Sequence, residues 1–387
     1  MQYRFDIPVD RRGTYSNKWN VLENELPMWV ADMDFQTAPE IISEMRYRVE
    51  HGVFGYPFLP DEWSKAVVGW WEKRYDFSMN TEWLLYCTGV IPAINSIIRK
   101  LTSHGEKIVV QTPVYSCFFD SILHNGRQML ENPLKYENGV YRMDYEDLEE
   151  KLSDPQTTMM IICNPHNPVG RTWTKEELEK VGELCLKHHV LVVADEIHCD
   201  LTSPGVRYTP YASVSEKYRQ NSITCIAPTK TFNLAGLKTA AAIVEDEAMR
   251  NKIAMGFRTD GVADLNIFAA PAAIVAYTKG EAWLDSLREY LEENRNTVRE
   301  FLENNLPEIK LVKGNATYLL WLDCTAVWKD SEDLAAFLRK ETGLFVLPGA
   351  QYGTGGKGFL RVNMACPRVT LQEGLEKLKQ GILAYRE

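Results

Sequence analysis

Several things are missing from this sequence. No apolar run approaches the ~20 residues that a membrane-spanning helix needs, so no membrane partner is expected. The opening residues, MQYRFDIPVDRRG, lack the apolar stretch of a signal peptide. None of the eight cysteines (Cys87, Cys117, Cys163, Cys185, Cys199, Cys225, Cys324 and Cys366) forms a C-x-x-C pair. That argues against a zinc knuckle or a thioredoxin-type site, and no metal is expected. Most of these cysteines lie in apolar runs and read as buried free thiols, which suits a reducing cytoplasm. Positive charge is also short: 43 Lys and Arg against 53 Asp and Glu leave a net charge of −10. A nucleic-acid-binding surface would need basic patches instead. There is no internal repeat and no low-complexity linker. No G-x-G-x-x-G follows a strand, as a dinucleotide-binding dehydrogenase would require.

What is present reads as an ordinary globular protein. Of the 387 residues, 45% are hydrophobic and 25% charged; the length suggests one large unit and one smaller one. Short, almost continuous apolar runs recur at 83–89, 107–113, 158–165, 190–195, 222–227 and 239–245. Such runs read as strands buried on both faces. Between two of them, Thr174 to His189 predicts a helix. Thr174 and Glu177 suit a capping box, and Leu178, Val181, Leu184 and Cys185 share a face. Strand, helix, strand in that order predicts an α/β sheet, mostly parallel, with crossover helices. A long helical pattern from Glu281 to Asn304 breaks at Pro307. Helix 331–341 and a strand near Phe359–Met364 then suggest a smaller α+β unit. The expected division is 46–285 for the large unit, with 1–45 and 286–387 forming the arm and the small one.

Ligands in such sheets bind beyond the carboxyl ends of the strands. The polar residues there are Thr88–Gly89, Pro113–Tyr115, Asn164–Gly170, Asp195–His198 and Thr229–Lys230. Lys230, in IAPTKTFNLAGLKTA, has apolar neighbours that would desolvate its amine and lower its pKa; a lysine after a strand is otherwise a surface residue. Asp195 ends VLVVAD, where it could pair with a cationic ring nitrogen or simply cap a turn. Asn167 lies in NPHNPVG, a turn by composition, and Tyr115 could stack on a ring or belong to the core. Gly89 and Val90 open an amphipathic helix, whose N-terminus suits a phosphate.

These residues resemble the fold-type I enzymes dependent on pyridoxal 5'-phosphate (PLP), the aspartate aminotransferase superfamily. NPHNPVG, ADEIH and TKTFNLAGLKTA occur in that superfamily's order, and the likeness spans nearly the whole chain. It implies that Lys230 is the catalytic Schiff-base lysine and that Asp195 binds the pyridine nitrogen. It also implies that Asn167 contacts the phenolic oxygen, that Tyr115 stacks, and that Gly89 and Val90 hold the phosphate. Arg361, in GFLRVNMACPR, matches the arginine that grips the substrate α-carboxylate. Tyr56, in FGYP, matches a tyrosine that reaches the partner's phosphate, so a homodimer is implied. WVADMDF (29–35), DEIHCDL (195–201) and residues 348–368 narrow the resemblance to the MalY/PatB group of cystathionine β-lyases and cysteine C–S lyases. There His198 replaces a tyrosine beside the phenolic oxygen, and Trp29, Ala31 and Asp32 lie near the substrate carboxylate. Two positions depart from the wider pattern. Ala227 replaces a serine, leaving Thr229 as the phosphate hydroxyl, and Lys238 replaces an arginine. The expected reaction is β-elimination at a carbon–sulfur bond of cystathionine or another cysteine conjugate. Transamination and an additional regulatory protein-binding role are the alternatives.

Overall fold

A computed structural model of the chain describes residues 3–328 and 330–386. At its centre is a seven-stranded sheet. In chain order the strands are β1 (Leu84–Cys87), β2 (Lys107–Val110), β3 (Gln128–Glu131), β4 (Thr157–Cys163), β5 (Leu191–Asp195), β6 (Ser222–Ile226) and β7 (Ala240–Ile243). Across the sheet the order is β1-β7-β6-β5-β4-β2-β3, and only β7 runs antiparallel to its neighbours. All six apolar runs of the sequence are strands. β3 was not anticipated, because QMLE is short, edge-placed and only partly buried.

Among the helices that flank the sheet are α1 (Asp61–Tyr75), α2 (Val90–Leu101) and α3 (Lys175–Lys187). The predicted cap of α3 is present. The Thr174 hydroxyl accepts from the Glu177 N–H at 3.2 Å, and the Glu177 carboxylate accepts from the Thr174 N–H at 2.8 Å. Lys230 sits in a single helical turn, α4 (Pro228–Thr231), directly after β6. The long helix α5 (Glu281–Asn305) then leads to a four-stranded antiparallel sheet. Its strands are β8 (Lys310–Leu311), β9 (Leu319–Asp323), β10 (Leu347–Pro348) and β11 (Phe359–Asn363), in the order β8-β9-β11-β10. The N-terminal arm is tied to this part of the chain, since Leu26–Pro27 pairs in parallel with Leu344–Phe345.

Gly353, Gly355 and Gly358 have the G-x-G-x-x-G spacing, and all three adopt positive φ, between 85° and 89°. The run leads into β11, however, and no helix follows it, so it is a tight loop and not a dinucleotide cradle. No helix among the described residues is long and apolar enough to cross a membrane. Of the eight cysteines, all unbridged, seven are buried and Cys117 is half-buried.

Candidate active site

The parallel strands end level with one another. Cys163 of β4 pairs with Asp195 of β5, which pairs with Cys225 of β6. A cavity of about 430 Å³ opens off these ends. It brings together Gly89, Val90, Tyr115, Asn167, Asp195, His198, Thr229, Lys230, Lys238 and Ala31. These residues come from six separate stretches of sequence.

Each is held by a local device. The α4 turn is anchored by Thr231, whose hydroxyl donates to buried Asp200 at 2.9 Å; Asp200 also accepts from Trp70 of α1 at 2.9 Å. Lys230 Nζ donates to the Ala31 carbonyl at 2.5 Å. Burial, then the nearby Arg361, lowers the Lys230 pKa to about 8; Asp32 and Asp195 oppose the shift. Asp195 has little exposure and accepts from the Ile197 N–H at 3.1 Å. Burial pushes its carboxyl up to about 6, with that N–H and Lys230 pulling the other way.

His166 is fully buried and shares a hydrogen bond of 2.9 Å with the Pro113 carbonyl. It thereby ties the loop bearing Tyr115 to the loop bearing Asn167. Burial lowers its pKa to about 4, so the ring is neutral. His198 is also neutral: burial, then Lys230 and Arg361, lower its pKa to about 3. Its Nδ1 is buried without a partner.

Arg361, from the middle of β11, is 3% exposed. It donates to the Asn167 side-chain oxygen at 3.3 Å and to the Trp29 carbonyl at 2.8 Å. Its Nε is buried with no partner, and no carboxylate among the described residues pairs with it. A buried, partly satisfied guanidinium is costly and calls for an anionic ligand. Lys238 has a φ of +54°, and its carbonyl accepts from Tyr86 at 3.0 Å.

Two further expected site residues are not among the cavity's lining residues. Tyr56 is fully exposed and borders a different cavity, with Leu59 and Leu84. The Asp32 carboxylate is gripped by Arg11 at 2.9 and 2.8 Å, while its carbonyl accepts from Asn363 at 2.6 Å. Sequence reasoning missed Ile197, although it stands between two expected residues, and the Tyr318 hydroxyl, which donates to the Ala31 carbonyl at 3.0 Å. Nothing local in the sequence marks Tyr318; only folding brings it to the arm.

The donor set fits a phosphorylated pyridine aldehyde. A desolvated amine, a buried carboxylate, an unsatisfied imidazole nitrogen and a tyrosine ring face one space. At Gly89, the N-cap of α2, a Cβ would already meet Pro92 Cδ at 3.3 Å. Gly89 and Val90 also line the cavity, at a helix N-terminus that suits a phosphate. No group of three metal-ligating side chains occurs among the described residues.

Residues 26–378 match the family described as aminotransferase class I and II. Cystathionine beta-lyase PatB of Bacillus subtilis (strain 168) is 45% identical over 386 residues, covering 98% of this chain and 99% of the relative. Two solved structures superpose closely. A PLP-bound putative aminotransferase from Clostridium difficile 630 has a TM-score of 0.96 at 41% identity, covering 98% of this chain and 100% of that one. Cystalysin from Treponema denticola, which contains a pyridoxal 5'-phosphate cofactor, has a TM-score of 0.96 at 32% identity, with both chains fully covered.

Proposed function

This chain belongs to the aminotransferase class I and II family, in its MalY/PatB-like group, and from that premise we propose that it is a PLP-dependent carbon–sulfur β-lyase. Its substrates are cystathionine or related cysteine S-conjugates, split to a thiol, pyruvate and ammonia. The observation that carries the reading is that Lys230 and Asp195 line one cavity, a desolvated amine and a buried carboxylate, while Arg361, with an unsatisfied Nε, holds Asn167 of the same cavity at 3.3 Å.

Lys230 would hold the cofactor covalently until the substrate's amine takes its place, which frees the lysine amine. Asp195 would pair with the ring nitrogen, Tyr115 would pack on the ring, and Asn167 and His198 would serve the phenolic oxygen. Gly89, Val90, Thr229 and Lys238 would hold the phosphate. Bound there, PLP supplies an electron sink for the charge left at the substrate Cα when its proton departs. Arg361 fixes the substrate α-carboxylate, which sets the Cα–H bond toward Lys230. The Lys230 amine, whose pKa lies near 8, takes that proton as general base. The Cβ–S bond then breaks, the sulfur leaves as thiolate, and water completes the conversion to pyruvate and ammonia.

Val53, Phe54, Tyr56 and Phe58 are exposed together. A cluster of large apolar side chains on a surface favours a protein partner, which supports a homodimer in which Tyr56 approaches the second subunit's phosphate site. The two separate sheets support the division into a cofactor-holding unit, 46–285, and a second unit from 1–45 and 286–387.

The test is release of pyruvate and free thiol from L-cystathionine and S-alkyl cysteines with no keto acid added. Sustained release of both, abolished in Lys230→Ala, is expected. Turnover that appears only when a keto acid is supplied would make the protein an aminotransferase instead.

A further inference from the structure

Asp32 has no part in the reading above, yet considerable structure is spent on placing it. The segment Trp29–Asp34 threads between Lys230 and Arg361 and is held by both. The Trp29 carbonyl accepts from Arg361 at 2.8 Å, and the Ala31 carbonyl accepts from Lys230 at 2.5 Å and from Tyr318 at 3.0 Å. Asn363 donates to the carbonyls of Val30 and Asp32 at 2.6 Å each. Asp32, next in the chain to the carbonyl that receives the lysine, carries the nearby charge.

That charge is itself metered. Arg11 binds both Asp32 oxygens and also reaches Asp34 at 2.7 Å. Lys18, 1% exposed, lies 2.7 Å from Asp34 and 4.0 Å from Asp32. Trp19 donates to Asp34 at 2.8 Å. Two cations and two anions cancel in a largely buried cluster. Burying ions costs several kcal/mol each, and packed apolar groups would serve a structural joint as well or better. Of its four members, Asp32 is the one that acts on Lys230.

We propose that Asp32 is a positioning residue for Lys230, supplying negative charge that favours the protonated form of the lysine nitrogen, free or cofactor-bound, with Arg11 limiting that charge. This rests on the reading of Lys230 as the working amine. Other groups also face the lysine. Arg361 of β11 opposes its positive charge, and Lys238 after α4 lines the same cavity. Asp195 favours it from the end of β5, where His198 is neutral. Tyr115 and Cys117 follow β2, and Tyr318 lies at the start of β9. Asp32 is the member of this set whose own charge is paired away from the cavity, so the Arg11 pairing can adjust it without touching the reacting atoms.

The expected effects have opposite signs. Asp32→Asn removes a negative charge and leaves Arg11 with Asp34 alone, so the cationic form loses support. Arg11→Met frees the Asp32 charge, so the cationic form gains support. Arg11→Lys keeps the charge and restores the wild-type value. The measurement is the visible absorption of the lysine-bound cofactor in each holoenzyme, followed against pH, with no substrate present. The midpoint is expected to fall by about one pH unit in Asp32→Asn and to rise in Arg11→Met. Should Asp32→Asn not fold, the Arg11→Met and Arg11→Lys pair decides alone, and pH-dependent acylation of Lys230 in the cofactor-free full chain gives a second reading. Midpoints that stay fixed, or that move the same way in Asp32→Asn and Arg11→Met, overturn the proposal. Neither outcome touches the thiol-release test, so failure here and failure of the lyase reading are distinguishable.

Discussion

At the residue scale, the site is made by burial acting on ordinary ionisable groups. Desolvation lowers Lys230 and raises Asp195, and so moves an amine and a carboxyl toward neutral pH. Glu196, beside Asp195, is fully buried and is pushed further, up to about 8. Burial dominates that shift; the Tyr211 N–H and the Tyr208 hydroxyl oppose it. The sign for stability follows. A carboxyl whose folded pKa exceeds its ordinary 4.5 contributes stability that is fully present below pH 4.5 and is lost as the pH rises through about 8. Glu196→Gln does not titrate. Its melting temperature relative to wild type should therefore climb between those two values and then level off; a difference independent of pH would refute the assignment. Arg361→Lys keeps the positive charge but loses the planar donor pair. A fall of about 10- to 100-fold in kcat/KM for thiol release is expected, with the cofactor spectrum unchanged. An unaltered kcat/KM would remove Arg361 from carboxylate binding.

At the element scale, local signals were strong where the chain repeats a simple rule. The six buried strands are apolar on both faces, and α3 has its start signal at Thr174 and Glu177. Thr174→Ala removes one partner of that capping box and should cost about 1 kcal/mol, read as a lower denaturation midpoint with turnover per folded enzyme unchanged. β3 escaped because QMLE has neither an apolar run nor alternation, and its place is set by pairing to β2. α4 is a single turn, too short to carry any periodic pattern, and is held by Thr231 and Asp200 from different elements. Gly89→Ala belongs at this scale too. The new Cβ crowds Pro92 at the start of α2, and weaker cofactor retention on dialysis is the expected result.

At the scale of the whole molecule, the exposed cluster of Val53, Phe54, Tyr56 and Phe58 is the feature a monomer does not account for. Phe54→Asp with Phe58→Asp should shift the protein to a smaller species in sedimentation. Activity should fall with it if, as proposed, Tyr56 serves a second subunit's phosphate site. A double variant that keeps both the wild-type mass and the wild-type activity would rule out this face as the interface.

The sequence alone determined six of the seven central strands, the order of the motifs and the identity of Lys230, Asp195 and Asn167 as residues to examine, while Arg361, in mid-strand, was marked only by the family resemblance. It could do so because strand ends and turns carry local composition signals that survive without neighbours. Tertiary structure decided what those residues meet. The partner of the Asp32 carboxylate is Arg11, 21 residues earlier in the chain. Tyr318 reaches Ala31 across 287 residues. His198 is left with an unsatisfied nitrogen by the packing around it. A side chain's partner is a matter of distance in space, and in a sheet fed by long crossovers that distance bears no simple relation to separation along the chain.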